Sequence, residues 1–189
     1  GFHHVICHEL HRGVDDYWDW LVAQAGPHAH ERGHGCDANG WVCRPWHLEE
    51  RLHPTVWTNE VALEEIAKRD PTRPFFIWIS HLRPHQPYDP PQHFWDMYID
   101  KKLRDLPIGD WAGKHDVPVA HPEQTAWQGR FSDERNQRMR AAYMGVVTHI
   151  DYGLGRLIEG LGRDLGEMKN TLMLFTADHG DAMGAHRLI

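Results

Sequence analysis

An α/β domain built on a mostly parallel sheet is what this sequence predicts, and three observations carry the prediction. Two continuously apolar runs, "PFFIWIS" (74–80) and "TLMLFTA" (171–177), contain many aromatic or β-branched residues and read as strands buried on both faces. Between them, residues 132–161 place apolar groups at helical spacing. Strand, loop, helix, strand is the order that a crossover to a parallel neighbour requires.

The elements follow in chain order. Residues 13–25 carry acids early, then Tyr17, Trp20, Leu21 and Val22, then a Gly26-Pro27 stop, which predicts a short helix. Residues 27–54 are polar and glycine-punctuated and read as mostly irregular. Thr58 is the expected N-cap of a helix in which Ala62/Leu63 and Ile66/Ala67 stack four apart until Asp70-Pro71. The 74–80 strand follows. Directly after it, "HLRPHQPYDPPQHF" has prolines at 84, 87, 90 and 91, which forbid a helix or a regular strand interior and predict a stiff, extended loop. Residues 99–130 hold no sustained pattern. Ser132 then opens the strongest helix, with Met139, Tyr143, Val146, Ile150, Leu154, Leu157 and Leu161 on one face. Gly145, Gly153 and Gly155 each weaken a helix by up to about 1 kcal/mol, so their presence predicts close packing against a neighbour.

Composition narrows the function classes. The 189 residues can bury a real core, and the chain is expected to be soluble and globular. Lys plus Arg number 20 against 27 acids, a net charge of −7, which argues against a phosphate-tracking nucleic-acid surface. No run approaches the roughly 20 apolar residues of a membrane helix, and no charged start leads into an apolar signal core. The three cysteines make no disulfide framework, and the compartment stays open between cytoplasm and periplasm.

Chemistry concentrates where the two apolar runs end, as open α/β sheets lead one to expect. His81 and His85 follow the first run; Asp178 and His179 follow the second. Adjacent Asp and His reach one cation if the chain turns sharply, which Gly180 permits. A carboxylate suits calcium, magnesium or manganese, and imidazole shifts the choice toward manganese, zinc or iron. On spacing alone, Asp-His-Gly reads equally as a turn with an Asp cap, and the proline-rich segment as a rigid surface connection. The cluster His28, His30, His34, Cys36 and Cys43 offers a separate zinc-module reading, without the paired spacing such modules use. "CHELH" (7–11) shows no recognised site spacing.

"HLRPHQPYDPPQHFWDMY", "MRAAYMGVVTHIDYGLGRLIEGL" and "TLMLFTADHGDAMGAHRLI", in that order, closely resemble the type I sulfatases and their phosphonate monoester hydrolase relatives in the alkaline-phosphatase-like superfamily. The resemblance is clear over residues 58–189 and implies a three-layer sandwich around a mostly parallel sheet, with residues 1–189 forming part of a catalytic domain. It implies that Asp178 and His179 are metal ligands and that His85 contacts the sulfate ester and its leaving oxygen, as a general acid or a hydrogen-bond donor. His186 matches a recurrent histidine near the substrate. Asp151 fits a recurrent position but reads as structural. Residues 184–186 are Gly-Ala-His where many relatives have Gly-Asp-His. The resemblance further implies a divalent cation, calcium first, with manganese or magnesium as alternatives, and a formylglycine nucleophile. No Cys/Ser-x-Pro-x-Arg motif, the source of formylglycine, is present, nor are the family's paired Asp ligands and the lysine that follows, so the chain is expected to be an interior fragment. The expected activity is hydrolysis of small-molecule or carbohydrate sulfate esters. Phosphonate or phosphodiester hydrolysis and a non-catalytic binding role stay as alternatives.

Overall fold

A computed structural model describes residues 2–9, 15–115 and 129–188. The expected start of the first helix at Gly13, His11 of the "CHELH" cluster and part of the 99–130 loop lie outside the described residues.

Four α-helices organise what is described: α1 (Asp16–Ala25), α2 (Pro54–Lys68), α3 (Gln92–Asp96) and α4 (Asp133–Glu159). Asp15 caps α1 by accepting the Trp18 N–H, and Ser132 caps α4 by accepting the Arg135 N–H, both as short polar side chains at a helix start do. α2 begins earlier than the Thr58 cap expected from sequence. Pro54 occupies its first turn, where a missing N–H costs nothing, and the His53 imidazole accepts the Thr55 N–H at 3.1 Å. Thr58 instead donates its hydroxyl to the Pro54 carbonyl inside the helix.

α4 packs against both α2 and α3. Ala62 and Ile66 of α2 meet Leu157 and Leu161, which buries one face of each helix; full burial of a leucine or isoleucine contributes about 1.5–3 kcal/mol. A second cluster joins Tyr88, Trp95, Trp41, Phe131, Met139 and Met183 on another side of α4.

The two strands expected to be buried on both faces are not found: the described residues contain no β-strand. Residues 74–80 keep the period-two alternation of a strand, but only Phe75, Ile77 and Ile79 face the helices, while Phe76 (76%) and Trp78 (69%) stand in solvent. In the second run Leu172, Leu174 and Phe175 are exposed. A strand is made by its partners' hydrogen bonds. Apart from the turn bond from Thr171 N–H to the Met168 carbonyl, neither run has a backbone partner among the described residues, and helices cover one face of the first run at most.

The glycine expectation holds at two of three positions. A Cβ at Gly145 would sit 3.0 Å from the Phe94 carbonyl and from Pro90, and one at Gly153 would overlap the Asn59 amide. Nothing lies within 4 Å of Gly155. Gly155→Ala should therefore stabilise by up to about 1 kcal/mol through helix propensity. Gly153→Ala should destabilise by about 1–3 kcal/mol through overpacking. Denaturant midpoints that move in the same direction for both would contradict the packing.

Two buried imidazoles, His53 and His149, and the half-buried His81 make the fold sensitive to acid. Burial pushes His81 down to about 4 and His149 to about 2, and lowers His53 as well. Each stays neutral in the folded state while the unfolded chain takes up protons below about pH 6.5, so stability falls as pH falls. Between pH 7 and pH 5 the loss is about 2 kcal/mol for each of His81 and His149. The thermal midpoint should drop clearly over that interval; a flat midpoint would mean these rings are not held neutral.

Candidate active site

The proline-rich loop is built into the interior, contrary to the reading of it as a surface connection. Arg83, Gln86, Tyr88 and Asp89 are all buried. Asp89 is the reason. Its carboxylate accepts from Arg83 Nε at 2.7 Å and from a second guanidinium nitrogen at 2.8 Å, and His34 Nε2 lies 3.1 Å away. His34 Nδ1 already accepts the Cys36 N–H and His53 Nδ1 the Thr55 N–H, so both rings carry their proton on Nε2 and turn it toward Asp89, His53 from 3.8 Å. Burial alone would raise the Asp89 pKa. The Arg83 charge and the two imidazoles outweigh it and hold the carboxyl well below the usual carboxylate range. Outside this hub, Trp46 N–H bonds the Pro90 carbonyl and Cys43 bridges to Tyr88, so the loop is tied at several points. The Arg83–Pro84 and Gln86–Pro87 peptide bonds are cis.

His85 sits between Arg83 and Asp89 and is half-buried. Its Nδ1 lies 3.1 Å from the Gln86 carbonyl, which only accepts, so Nδ1 carries the proton and the neutral ring presents a lone pair at Nε2. Its proton-donating form at Nε2 is therefore the imidazolium.

The Asp178–His179 pair is exposed. Asp178 Oδ1 accepts the His179 N–H at 2.9 Å, and His179 Nδ1 donates to the Gly180 carbonyl at 3.0 Å. The Gly180 carbonyl and then the Asp178 charge raise the His179 pKa. Below its pKa that ring is protonated; neutral, it offers an Nε2 lone pair 3.6 Å from Asp178 Oδ2. Two donors at that separation fit adjacent positions around one divalent cation. Two donors do not complete a site, and no group of three or more His, Cys, Asp or Glu side chains among the described residues is arranged to hold a metal ion. The zinc-module residues are not gathered either: His34 serves Asp89, and no three of the His and Cys side chains in that cluster are arranged to hold a metal ion.

His186 has the opposite tautomer. Gly109 N–H donates to its Nδ1 at 2.9 Å, so the neutral ring keeps its proton on Nε2 and is a donor there, suited to an anionic oxygen rather than a cation. Its backbone N–H bonds the Pro107 carbonyl, its ring packs on Trp111 at 4.8 Å, and its φ of 53° places a non-glycine residue in the left-handed region. Residues 110–115, expected to be patternless, form a short 3-10 turn there.

Among the described residues no hydrogen bond or ion pair joins His85 to Asp178, His179 or His186. The link between the two loops is one that sequence reasoning did not single out, Tyr88 O–H to Asp181 Oδ2 at 3.3 Å. Arg83 and Asp89 were missed as well; their one visible signal was two opposite charges inside a proline-rich run. A cavity of about 120 Å³ lies elsewhere, between α2 and α4, lined by Glu50, Asn59, His93 and His149 among others, and includes none of the predicted site residues.

Comparison with known proteins agrees with the motif order. The sulfatase family model matches residues 11–188, and the chain belongs to that family. It is 38% identical to an arylsulfatase of Clostridium perfringens over 98% of this chain and 42% of that protein. It is 31% identical to a choline-sulfatase of Rhizobium meliloti over 61% of this chain and 23% of that protein. The chain thus spans less than half the length of these curated relatives. In structure it is similar to the phosphonate monoester hydrolase of Agrobacterium radiobacter, with a TM-score of 0.71 at 22% identity, covering 90% of this chain and 37% of that one. That likeness is consistent with the expected alkaline-phosphatase-like fold, although the described residues contain no β-strand of its sheet.

Proposed function

We propose that these residues form part of the catalytic domain of a metal-dependent sulfatase that hydrolyses small-molecule or carbohydrate sulfate esters. The supporting observation is the Asp178–His179 pair, which sets a carboxylate oxygen and an imidazole lone pair 3.6 Å apart in a chain of the sulfatase family. In the complete domain the 74–80 and 171–177 runs are strands of a mostly parallel sheet, and Asp178 and His179 lie at the end of the second.

Calcium, or failing that manganese or magnesium, is the cation for this pair; when bound, it supplies charge that offsets the anionic head of the ester. His186 Nε2–H holds an ester oxygen. The His85 imidazolium gives its Nε2 proton to the leaving alkoxide or phenoxide, which departs poorly as an anion. The nucleophile is a formylglycine, which no residue of the present sequence is placed to become.

The test is hydrolysis by the complete protein of 4-nitrophenyl sulfate and of a phenylphosphonate monoester, before and after chelation and with each cation restored, alongside peptide mapping for formylglycine. Sulfate turnover that disappears with chelation and returns with a cation is the expected result. Preference for the phosphonate would transfer the assignment to that branch of the superfamily, and no turnover of either ester would leave a binding role.

A further inference from the structure

The run that leads into Asp178 and His179 does not by itself hold them in place. Residues 172–177 make no backbone hydrogen bond to other described residues, and most of their side chains stand in solvent. The pair is anchored from the other side. Met183 enters the same core cluster as Tyr88, Gly184 N–H bonds the Leu188 carbonyl at 2.7 Å, and His186 N–H bonds Pro107. The first anchor after the pair is Asp181, which accepts the Tyr88 hydroxyl.

Tyr88 is a firm post for that purpose. It is fully buried, its ring meets Tyr143 edge-on at 5.7 Å, and its backbone bridges to Cys43. Burial and then the Asp181 carboxylate keep its phenol pKa well above the ordinary value, so the hydroxyl stays a donor. The spacing is matched on the two loops: Tyr88 stands three residues after His85, and Asp181 three residues after Asp178.

We propose that Tyr88 is a positioning residue which, through its hydrogen bond to Asp181, sets the cation-binding pair in register with the loop that carries His85. This rests on the reading of Asp178 and His179 as cation ligands. Residues that orient ligands without touching the cation commonly change its affinity about 10–100-fold, and the same range is expected here.

The experiment is calorimetric titration of Mn²⁺ into the complete, chelator-stripped protein and into Tyr88→Phe, Asp181→Ala, Asp181→Asn and the Tyr88→Phe/Asp181→Ala double variant. Each loss-of-bond variant should weaken Mn²⁺ about 10-fold or more, and the double variant should bind no more weakly than the worse single, because both remove one bond. Asp181→Asn, which keeps an acceptor for the phenol, should recover most of the affinity. Unchanged affinity in Asp181→Ala, additive losses in the double variant, or an Asp181→Asn loss equal to that of Asp181→Ala would each overturn the proposal. If Tyr88→Phe fails to fold, the two Asp181 variants decide. Asp178→Ala and His179→Ala separate the two layers of argument: if they leave Mn²⁺ binding intact, the ligand assignment fails, whereas if they abolish it while Asp181→Ala leaves the affinity unchanged, only the positioning role fails.

Discussion

Asp89→Ala should cost about 3–5 kcal/mol of folding stability, the range for removing one partner of a buried ion pair. The side chains of Arg83 and Asp89 are 1% and 0% exposed, so the guanidinium left behind has no water to turn to. His34 and His53 lose the acceptor toward which their Nε2 protons point. Since whole domains are stable by only about 5–15 kcal/mol, the variant should show a large fall in denaturant midpoint. Asp89→Asn keeps the shape but not the charge and should also be severe. Arg83→Leu combined with Asp89→Leu should be less damaging than Asp89→Ala, because no unpaired charge remains. A midpoint within about 1 kcal/mol of wild type for Asp89→Ala would show that the hub does not carry the loop.

His85→Ala in the complete enzyme should lower turnover about 10²–10⁴-fold for alkyl or unactivated phenyl sulfates, the range for losing a general acid. The loss should shrink for 4-nitrophenyl sulfate, whose leaving group departs without a proton. The Nδ1–H bond to Gln86 fixes which nitrogen does the work: Nδ1 is already committed to the Gln86 carbonyl, so the proton for the leaving oxygen must come from Nε2. Equal losses on good and poor leaving groups would leave His85 as a binding residue.

The helices were legible because their signals are local. Ser132 caps α4 as its side chain suggests, and the four-and-three spacing from Met139 to Leu161 marks the face that meets α2 and α3. The α2 start was misread because the cap is a histidine, a residue type with no capping preference, that accepts through Nδ1. The candidate site residues His85, Asp178, His179 and His186 were picked out by motif order, but nothing in that order reveals the imidazole tautomers, which depend on the carbonyl or N–H that each ring meets in space. The Asp89 hub was hidden for a related reason: its partners come from positions 34, 53 and 83, and no periodicity connects them. The two apolar runs show the opposite failure. Their composition describes a buried position, while burial itself depends on neighbours that a local pattern does not contain.

Those two runs also bear on how the 189-residue chain behaves in solution. Each presents peptide N–H and C=O groups without described partners, beside large apolar side chains such as Phe76, Trp78, Leu174 and Phe175. Such a surface can template strand pairing between molecules, and it carries few of the charges that block such growth. The colloidal behaviour of the chain is therefore set where its folding is least complete: self-association competes with whatever covers these runs, and its rate climbs with concentration.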